Sequence, residues 1–294
     1  LEKNSLKKGD LLYLVEKSDK ELTIMSKAKE GASSKKECTI NVEEKDIPTI
    51  QREITSAYIN NYNTIMILGI DSVKKAKDIR RILHDFVALE IAEQTSSKII
   101  AQDLLNLKEI SIEKTLRRMD MIVRSIIQDS IESISGENMY ESVYYRDFDV
   151  NKLYFLMYRL LKSALNDPNV ASNFNLSNAE ILAQWHIGVS LENITDNSKA
   201  VCEVLQKKPK NLNNKALKEL FDDIEKEYLD VMKALFNKDK KLADAVASRR
   251  LDIMKKCDKY TDKNNKPESV KIITSLKDLI NNISKIARSI IDKE

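Results

Sequence analysis

The chain has 294 residues, of which 42% are apolar and 32% charged, and its 49 basic and 46 acidic side chains leave a formal net charge of +3. No apolar run approaches the roughly 18 to 20 residues that a membrane span needs, and the near-balanced charge announces no nucleic-acid partner. The five glycines, Gly9, Gly31, Gly69, Gly136 and Gly188, stand too far apart to form the G-x-G-x-x-G or G-x-x-x-x-G-K loops that cradle phosphates. Cys38, Cys202 and Cys257 form no C-x-x-C, and His84 and His186 are distant from each other, so soft-ligand zinc sites lack their spacing. Three scattered thiols fit a reducing cytoplasm.

In chain order, Leu11 to Val15 and Glu21 to Ile24 flank the polar turn Lys17-Ser18-Asp19-Lys20, as in a β-hairpin. Residues 28–39, with Gly31, Ser33, Ser34 and several lysines, read as an exposed linker. A small α/β module follows: a helix over 52–61, a buried strand over 64–69, an amphipathic helix over 72–86 and a further strand over 98–102. From Ser111 the pattern is helical throughout, with helices expected over 111–135, 140–165, 177–205, 215–236, 238–259 and 267–292. Ser177 with Glu180 makes a capping box, and Pro267 suits a first helical turn. Three helices, a Lys-Pro-Lys break and three more helices point to an internal repeat of roughly 90 residues. In that reading Leu191-Glu192-Asn193-Ile194-Thr195-Asp196-Asn197-Ser198-Lys199 aligns with Lys277-Asp278-Leu279-Ile280-Asn281-Asn282-Ile283-Ser284-Lys285.

The helix opened by Ser177 carries a core stripe of Ile187, Leu191, Ile194, Val201 and Leu205. Trp185, Val189, Glu192 and Asp196 lie on a second face that begins apolar and ends in two carboxylates one turn apart. Like charges at i and i+4 disfavour a helix by a few tenths of a kcal/mol, so the pair needs solvent, a basic partner or a cation. On the preceding helix Asp147 and Asn151 repeat the spacing beside Tyr154 and Tyr158, at the margin of a face holding Val150, Leu153, Met157 and Leu160. Helices packed side by side would bring Asp147, Asn151, Glu192 and Asp196 together as hard oxygen ligands for magnesium, manganese, calcium or oxidised iron. The alternative is a solvated acidic patch, with Asp147 near a helix N-terminus where the dipole already favours acid. Asp149 reads as surface, and His186 as a packing or surface residue rather than a ligand. The later pair, Asp278 and Asn282, replaces one carboxylate by an amide, and Asp252 lies among Arg249, Arg250, Lys255 and Lys256. No nucleophile elbow and no H-E-x-x-H motif is present.

The stretch Tyr145-Arg146-Asp147-Phe148-Asp149-Val150-Asn151-Lys152-Leu153-Tyr154-Phe155-Leu156, followed by Leu191-Glu192-Asn193-Ile194-Thr195-Asp196, resembles the paired motifs of the PhoU phosphate-uptake regulator family. The resemblance implies a mainly α fold of tandem three-helix bundles carrying E/D-x-x-x-D signatures that bind metal. Glu192-x-x-x-Asp196 matches fully, while Asp147-x-x-x-Asn151 and Asp278-x-x-x-Asn282 match in part. Leu6 to Leu14 with Leu22-Thr23-Ile24 resembles the latter half of an AbrB/SpoVT-like swapped hairpin, as in the archaeal version of the family, whose first strands would lie before Leu1. The implied organisation is a partial AbrB-like unit and linker over 1–47, an α/β connector over 48–107, and PhoU repeats over 108–208 and 209–294.

The same resemblance implies a cytoplasmic homodimer that controls phosphate uptake or signalling without being an enzyme. Its cofactor would be a divalent or trivalent metal ion: iron, manganese, magnesium or zinc. Its partners would be phosphate-transporter or sensor-kinase components, with DNA reached through a complete N-terminal domain. Two other readings compete, a metal-dependent phosphohydrolase using the helix-borne carboxylates and a helical scaffold that binds no metal.

Overall fold

The computed structural model describes residues 12–18, 21–25, 36–210 and 212–292. Strands β1 (Tyr13–Ser18) and β2 (Glu21–Met25) pair antiparallel as the expected hairpin. Residues 1–11, which include the first half of the stretch resembling an AbrB unit, lie outside the described residues, as do residues 19–20 of the turn and 26–35 of the linker.

A four-stranded sheet follows in the order β3 (Glu37–Asn41), β4 (Thr64–Leu68), β6 (Lys98–Asp103), β5 (Leu89–Gln94). β3 runs parallel to β4, and the other two pairings are antiparallel. Helix α1 (Ile47–Ile59) makes the parallel crossover, opened by Asp46, whose carboxylate accepts from the Thr49 N–H. Helix α2 (Val73–His84) is capped by Ser72. Alternate residues of the sheet, Ile40, Ile65, Ile67, Ile99 and Ala101, are buried, and Ile50, Ile54, Tyr58, Ile79 and Leu83 of the two helices are buried with them. Gly69 ends β4 at φ +82, where a Cβ would stand 2.6 Å from Asn41 Oδ1, so the backbone conformation and the space both require glycine there. Two elements differ from expectation: Glu37–Asn41 is a strand rather than the end of a linker, and Leu89–Gln94 is a strand ahead of β6.

The remaining chain is helical, as expected: α3 (Ile112–Ile134), α4 (Tyr140–Asn166), a short α5 (Pro168–Phe174), α6 (Asn178–Leu205), α7 (Asn214–Asn237), α8 (Lys240–Lys263) and α9 (Pro267–Ile291). Their ends follow from local chemistry. Ser111 caps α3, and Ser177 with Glu180 closes the capping box of α6. Lys238 takes a left-handed conformation between α7 and α8, and Asp239 then caps α8. α3 packs on α6 and α7, α7 on α8 and α9, and α9 on both α6 and α8. The apolar seams include Leu116, Met119, Val123, Ile126 and Ile127 of α3 and Ile272, Leu276, Leu279, Ile283 and Ile286 of α9.

The described residues group into two compact units, one holding residues up to Lys108 together with Lys162–Asn175, the other Glu109–Leu161 and Leu176 onward. No helix is long and apolar enough to cross a membrane among the described residues.

Candidate metal centre

The candidate lies on the seam between α4 and α6, within the helical unit. Gly188 of α6 faces Met157 of α4 so closely that an added Cβ would fall 1.8 Å from the methionine Cε. This close approach fixes what the flanking polar residues can reach. On α4, Val143, Asp147 and Val150 share one buried row at +4 and +3 spacing. The sequence thus places a carboxylate where the helix buries its apolar stripe, and Asp147 is only 3% exposed.

Asp147 meets α6 through Lys199. The lysine Nζ lies 2.6 Å from Asp147 Oδ2 and 2.7 Å from Asp196 Oδ1. Asn151 Nδ2 donates to the same Asp147 Oδ2 at 3.4 Å, a long bond. Asp147 Oδ1 is buried with no hydrogen-bond partner. Glu192 belongs to the same cluster, since burial, then the charge of Asp196 and that of Asp147, pushes its carboxyl up to about 7. Burial also raises the Asp147 carboxyl, against the pull of Lys199. Burial would lower the Lys199 ammonium, but its bonds to Asp147 and Asp196 outweigh that and hold it above the ordinary lysine range. Along the same seam Tyr154 and Tyr158 stack with centroids 6.2 Å apart, and Tyr158 lies 6.2 Å from Trp185. Burial and the Glu192 charge together raise the Tyr154 phenol.

Asp147 and Asp196 thus meet through the Lys199 ammonium, with Asn151 bonded to Asp147 and Glu192 within electrostatic reach of both carboxylates. Among the described residues, no three His, Cys, Asp or Glu side chains are gathered as a ready-made group for a metal ion. The cation already in place is Lys199. Sequence reasoning passed over it, although it sits at i+7 from Glu192 and i+3 from Asp196, on the stripe already identified.

Other buried carboxylates of this unit are also met by a basic side chain. Asp120 accepts from Arg124 and from the buried Tyr228 hydroxyl at 3.0 Å. Asp129 is paired with Arg146 and accepts from Ser142. Glu227 and Asp230 share Arg249, at 2.6 and 2.8 Å. Asp147, Glu192 and Asp196 present three carboxylates to one lysine, so this cluster carries the largest negative excess of the four when its carboxyls are ionised.

The second expected pair is not brought together. Asp278 is exposed, whereas Asn282 is 5% exposed and donates to the Asp278 backbone carbonyl at 2.8 Å. Lys285 Nζ donates to Asn282 Oδ1 at 3.1 Å, and Arg250 binds the neighbouring Asn281. Asp252 is exposed beside Lys255. His186 packs on the α6–α9 seam, its Nδ1 3.0 Å from Ser289 Oγ, away from the carboxylates as expected.

Residues 116–205 match the PhoU domain. That PhoU-matching stretch holds α3 from Leu116, α4 and α6, and with them Asp147, Asn151, Glu192, Asp196 and Lys199; Asp278 and Asn282 fall outside it. No curated protein matches the chain. Among solved structures, the crystal structure of PhoU from Pseudomonas aeruginosa is similar over 62% of this chain and 90% of that chain, with a TM-score of 0.49 and 12% identity.

Proposed function

We propose that this protein is a phosphate-responsive regulator of the PhoU kind, acting by binding rather than by turnover. One observation carries the reading: the stretch that matches the PhoU domain is the stretch in which Lys199 joins Asp147 of α4 to Asp196 of α6, with Asn151 bonded to Asp147 and Glu192 within electrostatic reach. Asp147, Asn151, Glu192 and Asp196 would hold a multivalent hard cation, manganese, magnesium or iron in preference to zinc, because every donor is an oxygen. The partnerless Asp147 Oδ1 and the excess of carboxylates over ammonium favour a cation there. A bound metal would supply positive charge to which phosphate oxygens or a partner's acidic groups could attach. Asp278 and Asn282 would contribute at most a weaker second site in this reading, since the amide is spent on its own helix.

The helices α3, α4 and α6 and the helices α7, α8 and α9 would be two PhoU-like repeats of a homodimer. Its partners would be phosphate-transporter or sensor-kinase components, and an AbrB-like N-terminal part would add promoter contacts.

Two measurements test the reading. Protein purified without chelator should carry metal by elemental analysis, and Glu192→Ala and Asp196→Ala should lose it; the same metal content in both variants would reject the ligand assignment. Cells lacking the protein should take up phosphate faster than the parent in phosphate-rich medium, and unchanged uptake would reject the regulatory role.

A further inference from the structure

We propose that the cleft between the start of α6 and the end of α9 is a binding site for a small organic cation, an ammonium carried on an apolar body. The cleft encloses about 810 Å³, within the roughly 300 to 1,000 Å³ that small-molecule sites occupy. Ala179, Leu182, Ala183 and Trp185 supply an apolar wall, of which Leu182 is 64% and Trp185 36% exposed, so the helices of this unit leave large apolar surface for a ligand to cover. The cleft shares no residue with the α4–α6 carboxylates and does not depend on the metal reading.

The polar lining selects the sign of the charge. The described lining residues include two carboxylates, Glu180 and Asp292, and no lysine or arginine. Glu180 Oε2 accepts from the Ser177 N–H at 3.0 Å, so this carboxylate is fixed against the start of α6 and offsets the positive end of that helix. Asp292 caps the C-terminus of α9, where the negative end of the helix adds to its charge. A cation lying against Trp185 also gains from the indole face. An anion in the same place would meet both carboxylates with no lysine or arginine among the described lining residues to pair with it.

His186 adds a hydrogen-bonding preference of the same kind. Its Nδ1 lies 3.0 Å from Ser289 Oγ, and that hydroxyl spends its single hydrogen on the Lys285 carbonyl at 3.1 Å. Ser289 Oγ therefore accepts, Nδ1 carries the proton of the neutral ring, and Nε2 is left as an acceptor. His186 and Ser289 both line the cleft, so what this pair offers a ligand is a place for an N–H to donate. An ammonium meets that need and a carboxylate does not.

Trp185 is the single tryptophan of the chain, so its emission reports on this cleft. The experiment titrates the full chain, in buffer containing EDTA, with 2-phenylethylammonium, its neutral analogue 2-phenylethanol and the anion 3-phenylpropanoate, following tryptophan emission and, as a second readout, heat of binding. The ammonium should bind saturably and at least tenfold more tightly than the alcohol, and the carboxylate should not bind. Glu180→Gln, which retains the capping box, and Asp292→Asn should each weaken the ammonium about threefold or more and leave the alcohol unchanged. Equal affinity for ammonium and alcohol, or ammonium binding that neither variant weakens, would overturn the charge selectivity. No saturable signal in either readout would overturn the site. An emission change on raising the chain concentration alone would show that a second copy covers the cleft, and would overturn the small-molecule assignment.

Discussion

At the scale of single residues, Glu192 carries a pH dependence whose sign can be worked out. Its carboxyl titrates near 7 in the folded chain, against about 4.5 when exposed, because burial and two neighbouring carboxylates disfavour the charged form. The folded state therefore holds that proton more tightly than the unfolded state does. Its contribution to stability is full below about pH 4.5 and is lost as pH rises through 7. Glu192→Gln removes the titration, so in metal-free buffer the variant should melt above the parent at pH 8 and level with it at pH 4.5. A constant difference across that range would show that Glu192 does not feel its neighbours. A second residue-scale test concerns Tyr228, whose hydroxyl donates to Asp120 in the buried α3–α7 seam. Tyr228→Phe should cost about 1 to 2 kcal/mol in urea unfolding, since the buried Asp120 loses one donor but keeps Arg124. No loss would mean the bond adds nothing beyond packing.

At the scale of elements, Gly188 of α6 faces the Met157 side chain of α4. Ala is preferred to Gly by about 1 kcal/mol inside a helix, so the exposed-helix expectation for Gly188→Ala is stabilisation. Here the new methyl would meet Met157 Cε at 1.8 Å, and because that atom is the movable end of a flexible side chain, displacing it should cancel most of that gain rather than reverse it strongly. In a Met157→Ala background, itself expected to cost about 2 to 5 kcal/mol, Gly188→Ala should become favourable. Strictly additive unfolding energies for the pair would sink this account. The six long helices were legible because each carries enough turns for its apolar period to show and because Ser111, Ser177 and Pro267 mark their starts. β3 was not, since Glu37-Cys38-Thr39-Ile40-Asn41 offers a single buried apolar residue after a lysine-rich run, and its pairing with β4 is non-local. β5 reads Leu-Glu-Ile-Ala-Glu-Gln, a composition that suits a solvated helix as well as a strand edge. α5 is too short for periodicity to show. That Asp147 of α4 would approach Asp196 of α6 was legible from matching i, i+4 spacings on two helices. The lysine between them was not, because a spacing argument looks for ligands and passes over the cation that occupies their place.

At the scale of the whole molecule, the cluster links a local charge imbalance to the stability of the helical unit. Three carboxylates from α4 and α6 repel one another in the folded state and separate on unfolding, so any ion that binds the folded cluster must stabilise the unit by mass action. At a free Mn²⁺ concentration one hundred times the dissociation constant the gain is about 2.7 kcal/mol. For a helical unit of this size that corresponds to a rise of roughly 5 to 10 °C in the melting transition followed by helical ellipticity. Glu192→Ala and Asp196→Ala should show a much smaller rise, EDTA should reverse the effect in the parent, and potassium at the same ionic strength should not reproduce it. Lys199→Met tests the ion pairs that join α4 to α6. It should melt below the parent, because buried Asp147 loses its counter-ion. A variant that melts level with the parent would show that the Lys199 ion pairs between α4 and α6 add nothing to the stability of the unit.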